Sequence, residues 1–139
     1  MNITYNDEKK ALPPEQLFRL FLQAGWVRGE TETTPEQLSY FNAPFINSTL
    51  VVSAWEDSRL VGAVRVLSDG IIRSVIYDLV VDPDFQGQGI GAELLKRCVA
   101  VYPDSEWLVQ TTAGVSGYYE KLGFAVNNEV FLTIPSIYQ

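Results

Sequence analysis

The chain predicts an α+β fold: a mixed, mostly antiparallel twisted sheet with a central parallel pair that splays apart, and about four helices. Three observations carry this. Three strand-like runs follow one another between residues 48 and 82, joined by turns short enough only to reverse the chain. One strand–helix–strand unit spans residues 71–110, and such a crossover makes its two strands parallel. Helical patterning elsewhere is confined to the first 45 residues and a short stretch before Gly123. At 139 residues and 47% hydrophobic, the chain is expected to be one domain, 1–139, with its own core.

Taken in order, Ile3 and Tyr5 alternate with polar residues as a first strand, and a polar connection follows. Pro13-Pro14-Glu15-Gln16 opens a helix, proline being acceptable in a first turn, and Gly25 ends it. Thr34 caps a second helix with Pro35 at its first position; this helix is expected to stop before Pro44. Strands are expected at 48–55, 60–67 and 71–82, with Glu56-Asp57-Ser58 and Ser68-Asp69-Gly70 as turns and a bend or bulge in the long third strand. Then come a central helix, a strand at 107–110, a short helix at 116–122 stopped by Gly123, and a last strand at 130–134.

The stretch from Asp78 to Leu95 organises the rest. Val80 and Val81 favour extended backbone, and Pro83 stops the strand near Asp82. Beyond a glycine corner, Ile90, Leu94, Cys98 and Tyr102 recur every four residues, the spacing of a helix with one apolar stripe. Gly87, Gly89 and Gly91 remove side chains where that helix begins. Backbone N–H groups without intrahelical partners then point outward at the positive end of the helix dipole, where a phosphate or pyrophosphate fits. A glycine-eased helix start with no ligand is the plainer alternative. Gly87, Gly89 and Ala92 also satisfy the loose dinucleotide pattern G-x-G-x-x-G/A. Five residues intervene between strand and glycines, however, and Gln110, Thr111 and Thr112 stand where an acidic ribose ligand would be needed. No P-loop pattern is present.

Composition narrows the chemistry. Ten basic against 17 acidic residues give −7 with no basic cluster, which argues against a nucleic-acid surface and favours cationic partners such as amines. Histidine is absent, which removes the usual zinc-hydrolase and Ser-His-Asp chemistries, and no metal is expected. The one cysteine, Cys98, lies on the apolar stripe and reads as a buried hydrophobe rather than a nucleophile. The N-terminus lacks the pattern of a signal peptide and no run is long enough to span a membrane, so a cytoplasmic protein without a membrane partner is expected.

Gln86-Gly87-Gln88-Gly89-Ile90-Gly91 has the form [Q/R]-x-x-G-x-[G/A] after a strand and a proline turn. Tyr118-Tyr119-Glu120-Lys121-Leu122-Gly123-Phe124 supplies an aromatic-Tyr-x-x-x-Gly-Phe run downstream. Together, in this order and separation, they resemble the two signatures of the GNAT superfamily of N-acetyltransferases, across nearly the whole chain. Asp78 to Gly91 looks similar to the small arylalkylamine or serotonin-type members. The resemblance implies a GNAT-like fold and acetyl-coenzyme A as co-substrate.

It also implies the site. Gln86, Gly87, Gln88, Gly89, Ile90 and Gly91 would hold the pyrophosphate, and backbone groups of Leu79, Val80 and Val81 the pantetheine arm. The Val81 N–H would face the thioester oxygen. Gln86 stands where arginine is frequent in the family, which puts more weight on backbone N–H groups. Tyr119 matches the tyrosine that commonly protonates the departing thiolate, and Tyr118 reads as core. Thr112 replaces a frequent asparagine, with Ser116 an equal candidate for that coenzyme contact. Asp78 is the candidate general base, to which burial would give a useful pKa, and the alternative is a turn-bonded aspartate. Trp26, Glu30 and Tyr40 are candidates for the substrate side. The expected acceptor is a small-molecule amine, with a protein amine or a non-catalytic coenzyme A-binding module as alternatives. A homodimer through the late strands is plausible from the family.

Overall fold

The computed structural model describes residues 2–26 and 34–137. Its sheet has five strands in the order β1-β2-β3-β4-β5: Ile3–Asn6, Leu50–Glu56, Arg59–Ser68, Arg73–Val81 and Glu106–Val109. The first four are antiparallel in succession and β4 pairs with β5 in parallel, the mixed sheet that the short turns and the crossover dictate. Two residues, Asp57 and Ser58, reverse β2 into β3, with Asp57 in the left-handed region at φ 51° that aspartate tolerates better than most. At the next reversal the Asp69 carboxylate accepts hydrogen bonds from the N–H groups of Ile71, Ile72 and Arg73.

Four α-helices complete the fold: α1 Pro14–Gln23, α2 Pro35–Ile46, α3 Ile90–Val101 and α4 Ser116–Glu120. Helices α1 and α2 cover one face of the sheet. There Leu17, Leu20, Phe21 and Phe45 pack with Val51, Leu60, Ala63 and Val80. The other face takes α3, whose Ile90, Leu94, Leu95 and Cys98 meet Val52, Ala54, Val64, Val66 and Ile76. Gly62 allows this close approach, since Leu94 and Ile90 carbons lie only 3.2 and 3.3 Å from where a side chain would start. Cys98 is fully buried and burial pushes its thiol up to about 12, so it packs as the hydrophobe its position on the stripe suggested.

Two expectations fail. Helix α2 runs through Pro44 to Ile46. A mid-helix proline costs about 3 kcal/mol, but here Phe45 is 1% exposed in the core, and burying it holds the last turn. At the other end the Thr34 cap is as expected, with Thr34 and Gln37 bonding reciprocally as a capping box. The second failure is the last strand. Residues 130–134 form no strand in this structure, so the parallel pair ends the described sheet instead of lying inside it.

Candidate active site

The site begins with an interruption in β4. Arg65 pairs with Asp78 and Val66 with Ile76, leaving Tyr77 as the extra residue of a β-bulge. On the other side, pairing with β5 runs from Arg73↔Glu106 to Ile76↔Val109 and stops there. The bulge and the end of the parallel pairing coincide. From Tyr77 onward β4 has β3 on one side and, among the described residues, no strand on the other.

Alternation sorts the backbone groups of that free stretch. The Asp82 N–H donates to the Val61 carbonyl at 2.8 Å. Counting back by twos along an antiparallel ladder, Val80 and Asp78 also bond toward β3. Leu79 and Val81 therefore turn their N–H and C=O groups to the open side. The Val81 carbonyl accepts from the Gln86 side-chain amide at 3.1 Å, which leaves its N–H as the donor facing the gap. Val80 drops out of the sequence-derived trio: its side chain is 2% exposed beneath α1 and its backbone belongs to β3.

The glycine corner follows. Asp82 is 1% exposed, pairs with Arg59 at 2.8 Å and accepts from the Asp84 N–H at 2.9 Å, fixing a 3-10 turn over Pro83–Phe85. The Asp-Pro pair at 82–83 is a helix-cap signal that sequence reading used only to end the strand. Gly87 and Gly89 have φ of 79° and 81°, backbone that other residues adopt at a cost, and Gly89 caps α3. Residues 86–89 are exposed while Ile90 and Gly91 are buried, so the start of α3 opens toward solvent at the end of β4. This cradle of bare backbone suits a pyrophosphate, and the free edge of β4 suits an amide-bearing arm. The residues present fit acetyl-coenzyme A.

The two tyrosines divide the space next to it. The Tyr118 hydroxyl lies against Gly91, where an added methyl group would collide with it, and Val81 is beside the same point. Sequence reading placed Tyr118 in the core; it is 42% exposed and its hydroxyl reaches the corner. Tyr119 packs edge-on against Tyr118 and Phe124, with ring centroids 5.2 and 5.7 Å away. It also lines a cavity of about 480 Å³ beside β5, together with Thr112 and Ser116. Burial raises both phenols above the ordinary 10, with Tyr118 adding to the shift at Tyr119, so both stay protonated at neutral pH.

Asp78 lies on the face opposite Leu79 and Val81, as alternation predicts, and its carboxylate is engaged by Arg65 across the ladder. Arg65 in turn sits over the Tyr77 ring at 5.2 Å. To act as a base, Asp78 would first have to leave that ion pair. On the same face, Trp26 stacks edge-on against Phe21 at 5.3 Å, and Tyr40 lies half-exposed on α2. Neither lines the cavity beside β5. Glu30 lies outside the described residues. No group of three or more potential metal ligands occurs among the described residues, and no described helix is long and apolar enough to cross a membrane.

Comparisons with known proteins agree with this geometry. The family model for the acetyltransferase (GNAT) domain matches residues 19–133. An uncharacterized N-acetyltransferase of Pyropia yezoensis is 28% identical over 86% of this chain and 69% of its own length. The chloroplastic serotonin N-acetyltransferase 2 of Oryza sativa subsp. japonica is 29% identical over 80% of this chain but only 56% of its own. The chain thus spans little more than half of some relatives. Among solved structures, a GNAT family acetyltransferase of Streptococcus pneumoniae TIGR4 superposes with a TM-score of 0.74 at 21% identity, covering 95% of this chain and 98% of that one. An aminoglycoside acetyltransferase from an uncultured soil metagenomic sample, in complex with sisomicin, gives 0.70 at 22%, covering 97% and 96%. These likenesses are of fold. With the family match over most of its length and the corner built as that family requires, the chain belongs to the GNAT family of N-acetyltransferases.

Proposed function

We propose that this chain transfers an acetyl group from acetyl-coenzyme A to the amine of a small molecule, by direct attack of the amine on the thioester. The observation that carries the reading is the free edge of β4 from Tyr77 to Val81, running straight into the glycine corner. Acetyl-coenzyme A bound there supplies the activated acetyl thioester. Gln86 occupies the Val81 carbonyl and so orients Val81 with its N–H as a fixed donor for the thioester oxygen. Gly87 and Gly89 bring the N–H groups at the head of α3 to the phosphates.

The proton for the thiolate comes from Tyr119. A phenol raised above 10 is a weak acid beside a thiol of ordinary pKa about 8.5. The transfer therefore requires a thiolate made more basic by exclusion from water, which the half-buried setting of Tyr119 favours. The net charge of −7 supports a cationic amine as acceptor. A reducing compartment such as the cytoplasm goes with one buried, unpaired cysteine. A protein amine is the second reading, favoured by a Histone acetyltransferase TAP1 of Glycine max that is 32% identical over 83 residues, although these cover 53% of this chain and 33% of that one.

A thiol-release assay with acetyl-coenzyme A, run against arylalkylamines, polyamines, aminoglycosides and a lysine peptide, tests this. We expect turnover of one small-amine class, with kcat lowered at least tenfold in Tyr119→Phe and less in Tyr118→Phe. Turnover of the peptide alone would move the acceptor to proteins. Binding of acetyl-coenzyme A without turnover of any amine would leave a non-catalytic module.

A further inference from the structure

The C-terminal segment is anomalous for a folded chain. Val130, Phe131, Leu132, Ile134 and Ile137 are 85%, 64%, 87%, 97% and 89% exposed. Residues 130–137 hold no charged side chain in a protein of net charge −7, and residues 130–134 alternate with strand-like composition. In the single chain that segment makes no strand. A run of this kind, exposed along its length, is a strand without a sheet.

The sheet has a matching vacancy. Strand β5 pairs only with β4 among the described residues, so its outer edge offers unpaired backbone groups. Beside that edge lies the cavity of about 480 Å³, with β5 as one wall and residues 124–127 as the other. Trp107 and Val109 of β5 are only partly buried at the border of the α3 core, and an added strand would extend that core over them.

We propose that two copies of this chain exchange their C-terminal segments, residues 130–134 of each lying as a strand against β5 of the other. The occupant is a second copy because gap and strand are carried by one sequence and the segment stands off its own body. Exchange about a two-fold axis then fills both gaps at once. The area is sufficient. Five large apolar side chains at roughly 150 Å² each give about 1,400 Å² for two segments, within the range of stable protein interfaces. The uncharged segment is also the part of a −7 protein that approaches a second copy with least repulsion. Tyr119, Thr112 and Ser116 line the same cavity, so the partner's strand would close that side of the site.

The test is sedimentation of the full chain combined with cross-linking. Leu108→Cys, on β5, and Leu132→Cys are made separately, mixed through a dilution and reconcentration step, and oxidised; Cys98, fully buried, does not compete. We expect a particle of twice the 15.6 kDa chain mass, and a disulfide-linked pair forming in the mixture of single variants. Leu132→Asp, at a position exposed in the single chain, should keep the wild-type circular dichroism and weaken the dimer at least tenfold. A monomer at every concentration overturns the proposal. So does a dimer that gives no cross-link in the mixture, or a Leu108→Cys/Leu132→Cys double variant that links only within one chain, which would mean that the segment folds back on its own β5.

Discussion

The two halves of β4 differ in one respect, and the difference separates architecture from site. From Arg73 to Ile76 the strand is paired on both sides; from Tyr77 to Val81 it is paired on one. Upstream, every backbone group serves the sheet and the side chains serve the core. Downstream, the same apolar sequence type leaves alternate N–H and C=O groups open, and only Leu79 and Val81 present them. A single inserted residue, Tyr77, marks the change. A binding edge here is a sheet left unfinished at a defined residue, with the glycine corner closing its end.

Substitutions can break that contrast from either side, and the largest effect belongs to the open half. Gly89→Val forces a β-branched residue into φ of 81°. We expect acetyl-coenzyme A affinity to fall at least tenfold by calorimetry, with a melting temperature lowered by only a few degrees, because residue 89 is exposed. Gly62→Leu does the opposite. It drives a side chain into Leu94 and Ile90 under the paired region and should cost about 1–3 kcal/mol in denaturant unfolding. Any fall in cofactor affinity there should track the lost stability.

Arg65→Met tests the ion pair between the layers. It leaves the Asp78 carboxylate, 22% exposed, without its partner, and we expect a loss of about 1 kcal/mol. If Asp78 is also the general base, the substitution frees it, and the pH profile of kcat/KM should move while that of acetyl-coenzyme A binding does not.

The smallest effect is at the turn feeding the paired half. Three backbone N–H groups hold the Asp69 carboxyl below its ordinary 3.8. A depressed folded value gives stability that is present above that ordinary pKa and is lost as pH falls through the folded one. Asp69→Asn should therefore flatten the acid edge of the melting-temperature profile below about pH 4, and differ little from wild type at the acid extreme.

Much of this was legible in the residues because local chemistry decided it. Thr34 with Pro35, Gly25 and Gly123 mark helix ends, and the two short turns before β3 and β4 fix the antiparallel order. The glycine corner was readable because positive-φ backbone and a helix start have few sequence solutions. What escaped was set by distant partners. Pro44 sits inside α2 because Phe45 is anchored in the core, and no local rule reports that anchor. The Arg65–Asp78 pair depends on register across a bulge, which the periodicity of β4 alone does not locate. Tyr118 and Tyr119 are neighbours in sequence, and only the packing of α4 sends the first hydroxyl to Gly91. Residues 130–134 carry a strand's composition, yet composition cannot supply the neighbour a strand needs.

The most direct test of the open half is an amide NMR titration of the protein with acetyl-coenzyme A. The predicted result is that the N–H signals of Leu79, Val81, Gly87, Gly89, Ile90 and Gly91 shift and become protected from exchange. Val80 and Ile76, bonded within the sheet, should move far less. Saturable binding whose perturbations fall on Val80 and Ile76 alike, or gather away from residues 79–91, would contradict the assignment of this edge and corner to the cofactor.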